Sequence, residues 1–378
     1  MIYLDNAATT PVNEQVAKVI YDSLLTTFAN PSSLYSLGAK SEGEMNKARE
    51  KIASCINAKE GELYFTSCAS ESNNIAIYGL ALARKNWGNK IVSTDYEHPA
   101  VHKPLSFLQE NGFEVALVPS DGQGVIDEDE ILRQVDEKTV LVSLIHVNNE
   151  TGAKLNIQSL SRKIKEKNRR TAIHIDAVQS FMKYPIDVSQ LTIDSLSFSA
   201  HKINGPKGIG GLYLKSGTNI KPVFVGGGQE KGLRAGTENI HYIQGLAKAC
   251  EILKPNIQSN LKHYEQLRHK LLQGLEKFEN VVINSPENAA PYTVNFSFMG
   301  YRSETLLHFL ESFDICVSSG SACSKGSQSH TLTQMKIPQE RIDSAIRVSF
   351  GVQNTENDID ALINALHEAT LKLQKVKL

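Results

Sequence analysis

Between about residue 60 and residue 215, short β-branched and aromatic runs alternate with segments of helical period, and this alternation leaves few architectures open. Strands are predicted at Glu62–Thr66, Lys90–Thr94, Val140–Val147, Ala172–Asp176, Ser195–Ser199 and Gly211–Leu214. Amphipathic helices lie between several of them. In Asn156–Asn168, Ile157, Leu160 and Ile164 share one face while lysines and arginines take the other. Such repetition predicts an α/β fold with a doubly wound, mostly parallel sheet covered on both faces. The character changes near Lys254-Pro255. A charged helix (Leu261–Phe278), a strand (Thr293–Phe298), a helix (Ser303–Phe313), a strand (Ala345–Phe350) and a terminal helix (Asp358–Leu373) predict a smaller α+β unit. We expect a large domain over residues 14–253, and a small one built from residues 1–13 and 254–378.

Composition narrows the function classes. A chain of 378 residues with 41% hydrophobic and 21% charged residues can bury two ordinary cores. Its net charge of −1 gives no electrostatic basis for stable nucleic-acid or membrane-surface binding. The five cysteines, at 55, 68, 250, 316 and 323, form no Cys-x-x-Cys pair. An odd, scattered set argues for a reducing compartment rather than a disulfide framework. The longest apolar run, Thr139–Val147, is too short to span a bilayer, and Met1–Asp5 shows no signal-peptide pattern, so a cytoplasmic location is expected.

In sheets of this kind ligands bind at the carboxyl edge of the strands. The predicted ends carry Thr66–Ser72, Glu97-His98, Asn148-Asn149-Glu150, Asp176 with Gln179, and Ser199–Lys202. The helix opening at Ser70–Asn74 is either an anion cradle or an ordinary N-cap. Asp176 is either a solvated carboxylate or the partner of a protonated pyridine nitrogen. Lys202 on the next strand end favours the second reading, because an amine there can hold a carbonyl cofactor as a Schiff base. Gly205–Gly211 is a tight glycine turn, but its order fails the dinucleotide fingerprint, and no phosphate-loop motif is present. His98 and His102 have helical metal-ligand spacing, yet no third ligand is evident; a ring stacked on a cofactor and able to move protons suits His98 better. Cys323 sits in the small polar stretch Ser318–Ser327, where little would pack over a structural thiol.

The ordered motifs are Tyr3–Pro11, Asn30–Ser33, Phe65–Asn74, Val147–Glu150, Asp176–Ser180, His201–Gly208, Gly226–Glu230, Arg234–Thr237 and Ser318–Cys323. In these the chain resembles the NifS/IscS-type cysteine desulfurases, pyridoxal 5'-phosphate (PLP) enzymes of fold-type I in the class V aminotransferase group. The resemblance implies that Lys202 would hold the cofactor, His98 would stack on its ring, and Asp176 would hold the ring nitrogen. Gln179 and Asn149 would face the ring oxygen side, and Ala69, Ser70, Ser199 and His201 the phosphate. Thr237 would reach the phosphate of a partner subunit, implying a homodimer. Arg347 would pair with the substrate carboxylate beside Asn149. L-cysteine would yield alanine, with Cys323 taking the sulfur as a persulfide for an acceptor protein in iron–sulfur cluster assembly or tRNA thiolation. A selenocysteine lyase, another PLP-dependent lyase or aminotransferase, and a non-catalytic sulfur-transfer scaffold are the alternatives. The chain departs from the family at Cys68, where glycine is usual, at Ser70, where threonine is common, and at Tyr35, often histidine. Its stretch Ser324–Met335 also looks slightly short.

Overall fold

The computed structural model describes residues 1–319 and 329–376. The strands are β1 (Ile2–Tyr3), β2 (Leu63–Thr66), β3 (Lys90–Thr94), β4 (Glu114–Val118), β5 (Thr139–Ile145), β6 (Ala172–Asp176), β7 (Ser195–Ser199), β8 (Gly210–Leu214), β9 (Val281–Ile283), β10 (Thr293–Phe298), β11 (Ile315–Cys316) and β12 (Ala345–Ser349). Among them run helices α1 (Glu14–Thr26), α2 (Ser36–Cys55), α3 (Ala69–Arg84), α4 (Pro99–Glu110), α5 (Glu128–Gln134), α6 (Ile157–Lys167), α7 (Ile240–Leu253) and α8 (Ile257–Leu275). The remaining α-helices are α9 (Ser303–Glu311), α10 (His330–Gln334), α11 (Gln339–Asp343) and α12 (Glu356–Lys372).

The large sheet has seven strands in the order β2-β8-β7-β6-β5-β3-β4. All neighbours are parallel except β8, which runs antiparallel to both β2 and β7. Every residue of β5, β6, β7 and β8 is buried, because helices cover both faces of a parallel sheet and no face is left for water. This is why β5 reads as a continuous apolar run rather than an alternating one. On β7, Phe198 stacks on Phe181 with ring centroids 3.9 Å apart, and a Cβ at Gly211 on β8 would collide with the Phe198 ring.

The sequence reading missed β4. It is an edge strand, largely accessible to solvent, so it lacks the apolar signature of its neighbours. It also overran β5, which ends at Ile145; Val147 instead forms an isolated bridge with Lys154. The terminal helix starts earlier than expected because Thr355 and Asp358 form a capping box before Asp358 is reached.

A three-stranded antiparallel sheet, β12-β10-β9, forms the second core with α8 and α12. The chain's first residues belong to this core: β1 pairs with β11, Asp5 bridges Ser349, and Leu4 packs with Phe296 and Phe350. Beyond Asp5 the segment crosses to the large sheet, where Thr10 N donates to the His201 carbonyl and Asn13 N to that of Asn204.

A buried ion pair fixes the loop between β8 and α7. Arg49 on α2 donates to both oxygens of Glu230, at 2.7 and 2.8 Å, and the Phe65 amide adds a third bond at 2.9 Å. Glu230 and Lys231 hold this place with φ of 46° and 56°, left-handed backbone that few non-glycine residues adopt. Removing one partner of such a pair strands the other charge. Glu230→Ala is therefore expected to destabilise the fold by about 3–5 kcal/mol in urea unfolding. A loss below about 1 kcal/mol would mean that the loop is held by something else.

Candidate active site

At the carboxyl ends of the central strands lies a cavity of about 190 Å³. Its wall includes Ala69, Ser70, His98, Asn149, Asp176, Gln179, Ser199, His201, Lys202 and Arg347, so the structure gathers these expected residues in one place. Thr237 is not among them; it is exposed on the loop before α7. Cys323 lies outside the described residues.

Lys202 ends the single 3₁₀ turn Ala200–Lys202 that follows β7. The turn can double back tightly because Gly205 lies against the Ala200 backbone, where a Cβ would come within 2.9 Å of the carbonyl oxygen. Lys202 Nζ donates to the carbonyls of Ala7 and Ala8, at 2.6 and 2.7 Å. On the neighbouring strand, Asp176 accepts from the Val178 amide at 3.0 Å through Oδ1 and from Asn73 Nδ2 at 2.8 Å through Oδ2. Each carboxylate oxygen has two acceptor sites, so each keeps one for a further donor.

His98 is the N-cap of α4, its Nδ1 accepting from the Ala100 amide at 3.0 Å. A backbone N–H can only donate, so the neutral ring carries its proton on Nε2. Burial holds its pKa below the usual imidazole value; Asp176 opposes that shift and Lys202 reinforces it. His201 is pushed down to about 4, by burial first and then by the lysines around it, and its Nδ1 lies 3.1 Å from Thr9 Oγ1.

The anion-binding features are uncapped or unpartnered. No side chain caps the start of α3, so the amides at Ala69 and Ser70 are not closed off by an N-cap bond. Ser199 Oγ is buried without a partner among the described residues. Both observations favour the cradle over the bare N-cap, and they fit a bound phosphate. Cys68, in the usual place of glycine, has φ −172° and ψ 170°, extended backbone open to any residue, so the departure costs no strain. Tyr35 is the exposed N-cap residue of α2 and does not line the cavity.

Two expected ligand contacts are already engaged inside the protein. Gln179 donates to the Ala7 carbonyl at 2.9 Å and accepts from Lys183 Nζ at 3.3 Å. Arg347 is buried; it donates to Asp5 Oδ1 at 2.6 Å and to the Asn149 carbonyl at 3.0 Å, while its Nε has no partner among the described residues. Sequence reading did not anticipate Asp5, because the pair joins residues 342 positions apart. It also missed Lys183, whose buried amine is pushed down to about 7 by burial and by Lys202 and Arg347 nearby. Asn73 and Cys68 line the cavity as well, and Asn73 was legible as one helical turn from Ser70. His102 packs edge-on against His330, and no cluster of three or more metal-type ligands occurs among the described residues.

The described flanks of the stretch holding Cys323 are tied to this site. Ser318 and Arg347 exchange backbone hydrogen bonds of 3.1 and 2.7 Å. On the other side, the Ser329 and Thr331 hydroxyls both donate to the buried Glu150 carboxylate.

A lysine and a carboxylate on adjacent parallel strand ends, beside an anion cradle and a smaller antiparallel sheet, make this the fold-type I frame of PLP enzymes. The chain belongs to the aminotransferase class-V family, whose profile matches residues 2–362. It is 40% identical over 371 residues to a protein of Clostridium botulinum (strain Hall) named cysteine desulfurase IscS, covering 97% of this chain and 93% of that one. A similarly named protein of Methanosarcina thermophila is 38% identical over 99% of this chain and 93% of its own length. Among solved structures, a NifS-like protein superposes with a TM-score of 0.93 at 37% identity, over 98% of this chain and all (100%) of the other. SspA in complex with cysteine gives 0.82 at 32% identity, over 93% and 99%.

Glu97, beside His98, supplies a pH test. It is fully buried; Oε1 accepts from Thr94 Oγ1 at 2.6 Å and the Ile145 amide at 2.9 Å, while Oε2 has no partner among the described residues. Burial pushes its pKa up to about 8, with the two hydrogen bonds opposing and Asp176 adding. The folded chain thus keeps a proton that the unfolded chain loses in the ordinary carboxylate range. Stability should fall as pH rises from that range to about 8 and then level off. Glu97→Gln is expected to flatten this slope and to melt several degrees above the wild type at about pH 9, with little difference at about pH 5. Parallel melting curves for the two proteins across that interval would refute the assignment.

Proposed function

We propose that this chain is a cysteine desulfurase that converts L-cysteine to L-alanine and captures the sulfur on Cys323. The observation that carries the reading is the placement of Asp176 and Lys202 on adjacent parallel strand ends around one anion-lined cavity. PLP, once bound, supplies an electron sink for the pair left at the substrate α-carbon. Lys202 would hold the cofactor's carbonyl carbon through Nζ, and the same amine would take the substrate α-proton. Asp176 would hold the ring nitrogen, the α3 amides with Ser199 and His201 would bind the phosphate, and Gln179 and Asn149 would hold the ring's oxygen side. His98, neutral with Nε2–H, would stack on the ring and could move protons there. Arg347 pairs with the substrate carboxylate through a guanidinium that Asp5 already orients.

The Cys323 thiolate attacks the substrate sulfur. A sulfur–sulfur bond forms as the carbon–sulfur bond breaks, and the electron pair stays with carbon. The product is a persulfide that passes to an acceptor protein for iron–sulfur cluster assembly or tRNA thiolation. Support for the substrate comes from the solved relative in complex with cysteine, and for the route from relatives named IscS. Ser318, joined to Arg347, stands five residues before Cys323, a tether of at most about 18 Å at chain reach.

The working unit in this reading is a homodimer. Tyr21, Leu24, Leu25, Phe28, Leu34 and Leu37 leave an apolar surface from the end of α1 to the start of α2. Ser23 bonds His241 at 2.9 Å, which brings that surface beside the loop carrying Thr237. The exposed Thr237 then serves the phosphate of the partner's site. The four described cysteines are all free thiols, which suits a reducing, cytoplasmic setting.

Purified protein with L-cysteine and a thiol reductant should release equal amounts of alanine and sulfide. Cys323→Ala should stay yellow and fall to the background rate. Yellow wild-type protein that makes no sulfide would sink the cysteine reading while keeping the cofactor site.

A further inference from the structure

Beneath Asp176 lies a buried polar chain that the proposed chemistry does not use. Asn73 on α3 donates from Nδ2 to Asp176 Oδ2 at 2.8 Å. Its Oδ1 receives two groups, His174 Nε2 at 2.9 Å and the Ser197 hydroxyl. His174 Nδ1 lies 2.9 Å from Ser195 Oγ. Asn73, His174, Ser195 and Ser197 are all buried, and His174, Ser195 and Ser197 sit on β6 and β7, the two strands that carry the site.

The proton positions follow from what each atom can do. An amide oxygen only accepts, so His174 must donate to it from Nε2. Burial pushes the imidazole down to about 3, so the ring is neutral and its Nδ1 is an acceptor. Ser195 therefore donates to Nδ1. The chain runs in one direction: Ser195 O–H to His174, His174 N–H to Asn73, Asn73 N–H to Asp176. A carboxylate only accepts, so Asn73 must turn its NH₂ to Asp176 and its Oδ1 to His174 and Ser197; a flipped amide would set its oxygen against the carboxylate. The amide is locked with its donor toward Asp176.

We propose that Asn73 and His174 are positioning residues, whose one-way hydrogen-bond chain fixes the Asp176 carboxylate for a cationic ring N–H entering the cavity. The inference rests on the PLP reading above and deepens it. Asp176 Oδ1 is fixed by the Val178 amide and Oδ2 by Asn73, so the carboxylate cannot turn its free acceptor sites away from the ligand. Asp176 then meets the ring nitrogen without first reorienting, which lowers the cost of binding.

The test compares wild type, Asn73→Ala, His174→Gln and His174→Leu as full-length proteins reconstituted with PLP. Two readouts besides turnover are used: the PLP dissociation constant, and the pH midpoint of the visible band of the Lys202-bound cofactor. A ring nitrogen held less well withdraws less charge and leaves the linkage at Lys202 more basic. Asn73→Ala should weaken PLP binding roughly tenfold, as expected for loss of a hydrogen bond to a charged group. It should also raise the band midpoint by about one pH unit. His174→Leu should behave alike, whereas His174→Gln, whose amide N–H can still donate to Asn73, should stay close to wild type. Should Asn73→Ala fail to fold, the Gln and Leu pair carries the comparison alone. Wild-type affinity and midpoint in Asn73→Ala or His174→Leu would overturn the proposal, as would equal damage from Gln and Leu. Failure of the wild type itself to load PLP would instead overturn the cofactor reading on which it rests.

Discussion

The parallel register of β6 against β7 is the constraint on which the site depends. His174 faces Ser195, Ile175 faces Leu196 and Asp176 faces Ser197. A slip of one residue would turn every side chain of a strand to the opposite face. Asp176 would then leave the cavity and His174 would lose both Ser195 and Asn73. In the register observed, the carboxylate ends one strand while the neighbouring strand runs two residues further and turns into Lys202. Burial on both faces makes that register costly to change, because each strand would otherwise expose serine and histidine to an apolar layer.

The N-terminal segment closes the site from the other side. Its first residues pair with β11 and bridge β12, and its next few accept from Lys202, Gln179 and Arg347 through Ala7, Ala8 and Asp5. These contacts are chiefly to backbone carbonyls, so they set position with little dependence on side-chain identity. Lys202 and Arg347 line the cavity, and these two basic side chains suit a ligand that brings phosphate and carboxylate.

Much of this was legible in the sequence for physical reasons. Short runs carrying β-branched, aliphatic or aromatic residues read as strands, and Lys90–Thr94, Ala172–Asp176, Ser195–Ser199 and Thr293–Phe298 stand where the sequence put them. Strand-end polar residues converge because a parallel sheet brings its carboxyl edges together. The remainder rests on long-range partners that no local pattern encodes. Asp5 meets Arg347 across nearly the whole chain, Gln179 is engaged by a backbone carbonyl, and His174 inside a β-strand gives no sign of its link to Asn73 on α3. Edge strand β4 was missed because its exposed side chains follow solvent rather than core.

The most direct test is to trap the cofactor and find the lysine that holds it. The protein is loaded with PLP, reduced with borohydride, digested and mapped by mass spectrometry. The account predicts a stable pyridoxyl group on Lys202 alone, with the yellow band lost on reduction. Label on Lys183, the buried amine that bonds Gln179, or no label in the cavity at all, would contradict the pairing of Asp176 with Lys202.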